Sequence, residues 1–315
     1  MMIVRFTPAG SDTARVGVLQ DGAITEVTGV ATLADLWQRS AAEIRACLTT
    51  AARAGGPRHE LAAATILPPI DGRCEVWAAG VTYQISRQAR VADSLRAQNV
   101  YDQVYDAARP ELFFKSAAWR AVGAGEPIAI RSDSGLDVPE PELAVVLNAH
   151  GEAIGYMICN DVSSRTIEGE NPLYLPQAKV YLGGCAIGPA IRPAWEIPDP
   201  YALDIEMVIS RDGTPAWSGS ASTSAMRRRI DTLTEFLFRA DAFPDGVLLA
   251  TGTCLVPEPP FTLAAGDVVT IGIAGLGQLT NPVVRGRADM MWVTTARTGS
   301  RGTAASTLRA GQPQR

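Results

Sequence analysis

Two glutamates, Glu140 and Glu142, stand two residues apart in DVPEPELAVV (137–146), at the entry to an apolar run. Side chains alternate faces along a strand, so residues two apart point the same way. The pair would share one face, where like charges repel and burial of either alone is costly. A third carboxylate, Asp161, closes the apolar stretch AIGYMICND. If ELAVVLN and AIGYMICND pair as a hairpin about NAHG, Asp161 comes to the same end as the glutamates. Three carboxylates at one strand end call for a cation. Oxygen donors with no His or Cys beside them suit Mg²⁺, Mn²⁺ or Ca²⁺ rather than zinc. Such a set leaves positions for water and substrate. The spacing alone is equally compatible with glutamates guarding an edge strand and with Asp161 capping a helix.

Two scarcities narrow the chemistry. The chain has two histidines, His59 and His150, both in loop-like settings, so a His-dependent triad or a His-rich metal site has little to draw on. Of 28 basic residues only Lys115 and Lys179 are lysine. Lysine can titrate and act as a compact point charge where arginine cannot. The two are candidates for roles that arginine could not fill.

The elements that must hold these residues are mostly strands. MIVRFTP, ARVGVLQ and AITEV read as short strands, with Asp21-Gly22 as a hairpin signal. Residues 32–55 have helical spacing and end at Gly55, and the Pro/Gly-rich LPPIDGR marks a boundary near residue 70. CEVWAAGVTY is a strand, and 84–108 reads as helix. From 127 onward turn-bounded strands dominate, interrupted by one helix at 222–240. The expected organisation is a small N-terminal domain over 1–70, a catalytic domain over 71–295 and a disordered polar tail over 296–315. Few helices among many strands point to a sandwich or roll rather than alternating βα units.

With 315 residues, 47% hydrophobic and 19% charged, the composition is that of a globular enzyme. The net charge of −5 argues against nucleic acid as a partner. No apolar run is long enough to span a bilayer, and the first residues lack the pattern of a signal peptide; cytoplasm is the expected location. Five widely spaced cysteines without a C-x-x-C make neither a disulfide framework nor a thiolate zinc site.

PEPELAVVLNAHGEAIGYMICNDVSSR, LPQAKVYLGGCAIGPAI, ATGTCLVP and LAAGDVVTIGIAGLGQLTNPV, in that order over 75–285, resemble the fumarylacetoacetate hydrolase family. The resemblance implies an α+β, mostly β, sandwich roll, a homodimer or homotetramer, and a Mg²⁺-type ion held by Glu140, Glu142 and Asp161. It implies that Lys179, in the AK motif, faces a metal-bound substrate. The C–C hydrolases of this family carry a His–Glu pair that activates water. In GVTYQISRQAR those positions hold Ser86 and Ala89, so hydrolysis by that route lacks its base.

VTYQISRQAR, VYDAARPELFFK and ENPLYLPQAKVY are similar to the 2-keto-3-deoxy-D-arabinonate dehydratases within the family. That resemblance implies loss of water from a 2-keto-3-deoxy sugar acid, giving 2,5-dioxopentanoate. The ion would polarise the ketone, a base would take a C3 proton to give an enolate, and the C4 hydroxyl would leave. Glu111 is then the candidate acid/base, and Lys179 either the base or the cation that stabilises the enolate. Ser86, Arg87, Thr253 and Lys115 are candidate substrate contacts. Glu168 and Glu170 read as solvated loop charges, and Arg227 to Arg229 as an exposed helix face. A hydrolase, decarboxylase or isomerase acting on a diketo acid is the alternative.

Overall fold

The computed structural model describes residues 1–83, 104 and 107–296. Among these residues the chain forms an eleven-stranded mixed sheet, a five-stranded sheet and a two-stranded ribbon. The central strands of the large sheet run in the order Met2–Thr7, Cys185–Pro193, Ala153–Asp161, Pro141–Leu147, Val247–Thr253, Glu75–Gly80 and Glu111–Ala117. The smaller sheet is built from Thr214–Ser222, Asp204–Arg211, Val268–Ile273, Gly277–Arg285 and Ile128–Ile130.

Pro141–Leu147 is buried at every position because both of its faces are covered. Leu143, Val145 and Leu147 pack with Ile205, Met207, Ile209, Val269 and Ile271 of the smaller sheet. Ala144 and Val146 pack on the other side with Leu33, Leu36, Trp37, Ile44 and Leu48 from the N-terminal helices. A strand buried on both faces has no polar face to alternate with, hence the unbroken apolar run. The result is the mostly β sandwich roll expected from the sequence. The N-terminal strands continue the large sheet through Met2–Thr7, where Ile3 stands opposite Ile191.

Two local readings are refined. The helical stretch at 32–55 is two helices, Leu33–Trp37 and Ala41–Ala54, because Ser40 takes an extended conformation and caps the second with Glu43 in a capping box. Gly55 ends it at φ 69°. The helix expected at 222–240 spans only Ile230–Phe238. Arg227 to Arg229 precede it and do not form a helical face. The Arg227 N–H donates to Thr82 O, and the Arg228 guanidinium donates to the carbonyls of Val104 and Ala107. The helix expected over 84–108 falls almost wholly outside the described residues.

Candidate metal centre and active site

The hairpin forms as its pattern requires. Pro141–Leu147 pairs antiparallel with Ala153–Asp161, with Glu142 opposite Cys159. The Asp161 N–H donates to Glu140 O at 3.0 Å. Asn148 organises the turn by accepting from the His150 and Glu152 N–H groups at 3.1 and 2.8 Å. Cross-strand neighbours share a face, so Glu140, Glu142 and Asp161 converge. One carboxylate oxygen from each lies within 4.8 Å of the other two, and all three residues are 1% exposed. Asp161 does not cap a helix; Ser164 does that for Arg165–Glu170.

Both lysines of the chain enter this cluster. Lys179, at the end of the short helix Leu175–Lys179, donates to Glu140 Oε2 at 3.0 Å, Asp161 Oδ2 at 3.1 Å and Ser163 Oγ. Lys115 lies on Glu111–Ala117. Its Nζ ion-pairs with Asp161 Oδ1 and donates to the carbonyls of Val162 and Lys179. Two hydrogen bonds and one ion pair, all at a fully buried ammonium, hold Lys115 as part of the site's frame. Glu111 and Phe113 alternate onto one face of their strand, and a register shift after Phe114 leaves Lys115 outside the ladder. The Phe113 ring lies 5.7 Å from Lys179 Nζ. Glu111 thus shares the face of the lysine site at its half-buried outer end.

Arg165 was not foreseen from the sequence. Its guanidinium reaches Glu140 Oε1 at 3.0 Å and Glu168 Oε2 at 3.3 Å. Glu168 is therefore not a solvated loop charge: it is 3% exposed, one helical turn from its partner. Glu170 is exposed as expected. Arg165 stands four residues after Asp161, and the i,i+3 spacing to Glu168 was the available signal.

Glu142 is held differently. The Gly252 N–H donates to its Oε2 at 2.7 Å. Burial, together with the charges of Asp161 and Glu140, pushes the Glu142 carboxyl well above the usual range despite Lys179. An anionic site that resists its own ionisation matches the donor set of a hard divalent cation, which would offset that repulsion. Thr253 lies opposite Glu142 across the strand pair. Its hydroxyl reaches the carbonyls of Pro141 at 2.9 Å and Leu255 at 3.0 Å, so it buttresses the strand that carries the glutamate. Ser86 and Arg87 lie outside the described residues. The cavity of about 530 Å³ lined by Trp119, Arg120, Arg131, Tyr181 and Met291 contains none of the three carboxylates.

The arrangement can hold a hard cation, present fixed positive charge beside it and move protons through a carboxyl group. Both histidines are elsewhere: His59 pairs with Glu26, and His150 sits in the hairpin turn.

The family model described as fumarylacetoacetate (FAA) hydrolase C-terminal matches residues 76–284. A Haloferax volcanii protein named "Probable 2-keto-3-deoxyxylonate dehydratase" is 51% identical over 215 residues, covering 68% of this chain and 73% of its own. The 2-dehydro-3-deoxy-D-arabinonate dehydratase of Saccharolobus solfataricus is 46% identical over 225 residues, 70% of this chain and 75% of its own. A solved structure of 2-keto-3-deoxy-D-arabinonate dehydratase complexed with magnesium and 2,5-dioxopentanoate superposes with a TM-score of 0.76 at 36% identity. It covers 91% of this chain and 100% of the other.

Proposed function

Because the chain belongs to the fumarylacetoacetate hydrolase family, we propose that it is a Mg²⁺-dependent hydro-lyase converting 2-keto-3-deoxy-D-arabinonate to 2,5-dioxopentanoate. The observation that carries this reading is the convergence of both lysines on a buried three-carboxylate cluster with no histidine in it. The similarity to dehydratases over more than two thirds of each chain supports the same reaction.

Glu140, Glu142 and Asp161 hold the ion. When bound, it polarises the ketone of a chelated 2-keto acid and acidifies the C3 protons. Lys179, paired with two carboxylates, supplies a fixed cation for the negative charge that develops on the C2 oxygen. Lys115 fixes Asp161 and the main chain of Lys179. Glu111, half-buried on the strand face that carries Phe113, takes the C3 proton and returns a proton to the departing C4 hydroxyl. Loss of water leaves a C3–C4 double bond. The aldehyde follows when C5 and its hydroxyl each give up a proton and C3 and C4 each gain one. The elimination needs no activated water, consistent with Ser86 and Ala89 standing where the hydrolases carry their base.

Thr253 supports Glu142, and Ser86 and Arg87 contact the substrate. Among the described residues no helix is long and apolar enough to cross a membrane. We propose a cytoplasmic location, assembly as a homodimer or homotetramer, and a small-molecule partner only. The test is mass spectrometry of 2-keto-3-deoxypentonate incubated with the protein. A loss of one water, abolished by chelator and restored by Mg²⁺, is the expected result. Release of pyruvate or CO₂ instead would place the enzyme with the diketo-acid hydrolases or decarboxylases.

A further inference from the structure

A cavity of about 530 Å³ lies beside the metal centre, within the size range of small-molecule sites. Trp119, Arg120, Arg131, Tyr181, Arg287 and Met291 line it. Tyr181 is the wall between cavity and metal centre. Its hydroxyl donates to Val162 O at 3.2 Å, and its ring lies 5.7 Å from Lys115 Nζ. Trp119 and Met291 are 45% and 38% exposed, so the opening is apolar. The arginines are held in different ways. Arg131 binds Asp133 through two N–H groups, at 2.8 and 2.6 Å, and donates to Gln177 O at 3.1 Å. Arg287 is exposed. Arg120 is half-buried, and its buried Nε–H meets no acceptor among the described residues.

The Arg120 guanidinium lies over the Trp119 ring, with Cζ 4.9 Å from the ring centre. A guanidinium stacked on an indole is oriented before any ligand arrives. The hydrogen bond to Asp133 raises the pKa of Arg131, whereas burial lowers that of Arg120. A buried N–H without an acceptor is costly and rare in folded proteins. A carboxylate in the cavity would satisfy it, because the planar fork of a guanidinium matches the two oxygens. We propose that this cavity is a second ligand site, in which Arg120 binds a small monocarboxylate whose apolar body packs on Leu182 and Met291. The lining suits an aromatic or branched-chain acid rather than a sugar acid, since Ala129, Ile130 and Leu182 supply its walls. The assignment is independent of the reaction at the metal centre, because none of the three clustered carboxylates lines the cavity.

Benzoate is the test ligand, and benzyl alcohol is its uncharged counterpart. Titration calorimetry on the full chain with Mg²⁺ present should show saturable benzoate binding that depends on Arg120. Arg120→Met keeps the length of the side chain and removes the charge. It should weaken benzoate about tenfold or more, the scale of a charge-assisted hydrogen bond. Benzyl alcohol should bind the parent protein more weakly than benzoate by a similar factor. Benzoate should raise the thermal midpoint of the parent protein and leave that of Arg120→Met unmoved. Arg120→Gln serves in the same way if the Met variant does not fold. No saturable binding, or equal affinity for benzyl alcohol, overturns the proposal. So does equal benzoate affinity in the Arg120 variants, which would place the ligand elsewhere, the metal centre included. Tighter binding of inorganic phosphate than of benzoate overturns the carboxylate assignment. Turnover of 2-keto-3-deoxypentonate is measured separately: its absence removes the dehydratase reading and leaves the second site standing, and Arg120-independent binding with turnover does the reverse.

Discussion

Lys115 donates through Nζ to the main-chain carbonyl of Lys179, the residue whose own ammonium spans Glu140 and Asp161. The two lysines are 64 residues apart in sequence. One frames the other, and both lean on Asp161.

Lys115→Met should therefore cost more than a surface charge would. It leaves Asp161 Oδ1 and two buried carbonyls without their ammonium, a loss of about 3–5 kcal/mol for one partner of a buried pair. Denaturant unfolding should show the drop. Lys115→Arg should not rescue it, because a planar guanidinium cannot occupy the space of a compact ammonium at a fully enclosed position.

Glu111→Gln separates chemistry from binding. Glu111 is not among the three clustered carboxylates, so Mn²⁺ affinity and thermal midpoint should hold. Turnover should fall by roughly 10²–10⁴, the usual contribution of a positioned acid/base. Steady-state kinetics alongside Mn²⁺ titration checks this; a parallel loss of Mn²⁺ binding would make Glu111 a support of the metal site.

Gly252→Ala should weaken the metal site without touching a ligand. Gly252 sits at φ 92°, and an added Cβ would run into Thr82 Oγ1 and the Ala79 carbonyl. The Gly252 N–H would shift away from Glu142 Oε2, which it now bonds at 2.7 Å. Left-handed strain and the clash together should cost about 2 kcal/mol or more. Weaker Mn²⁺ binding should accompany the loss.

Acid stability should depend on a pair far from the site. The side-chain hydrogen bond from Arg73 lowers the Asp245 carboxyl below its ordinary value. A depressed folded-state pKa contributes stability above the unfolded value of about 3.9, lost as pH falls through the folded value. Asp245→Asn should lower the thermal midpoint at pH 7. The difference from the parent protein should begin to narrow below about pH 4 and close as pH falls through the folded value. A gap that does not narrow as the pH is lowered would assign the effect to packing instead.

Much of the metal site is legible in the sequence because it rests on local rules. A strand's two-residue repeat puts Glu140 and Glu142 on one face, and a short hairpin returns Asp161 beside them. The rarity of lysine singles out Lys115 and Lys179 on composition alone. What only the tertiary structure decided lies where local rules compete with distant partners. Spacing cannot say that Lys115 would be enclosed against Asp161, because nothing near it in sequence supplies an acceptor. Glu168 reads in the sequence as a solvated loop charge, yet it is buried against Arg165, whose guanidinium also reaches Glu140. The helix at 222–240 starts late because the main chain of Arg227 and the side chain of Arg228 bond Thr82, Val104 and Ala107 rather than their own helix. Carboxylates that share a strand face are written in the chain; the cations that balance them come from elements the fold alone brings together.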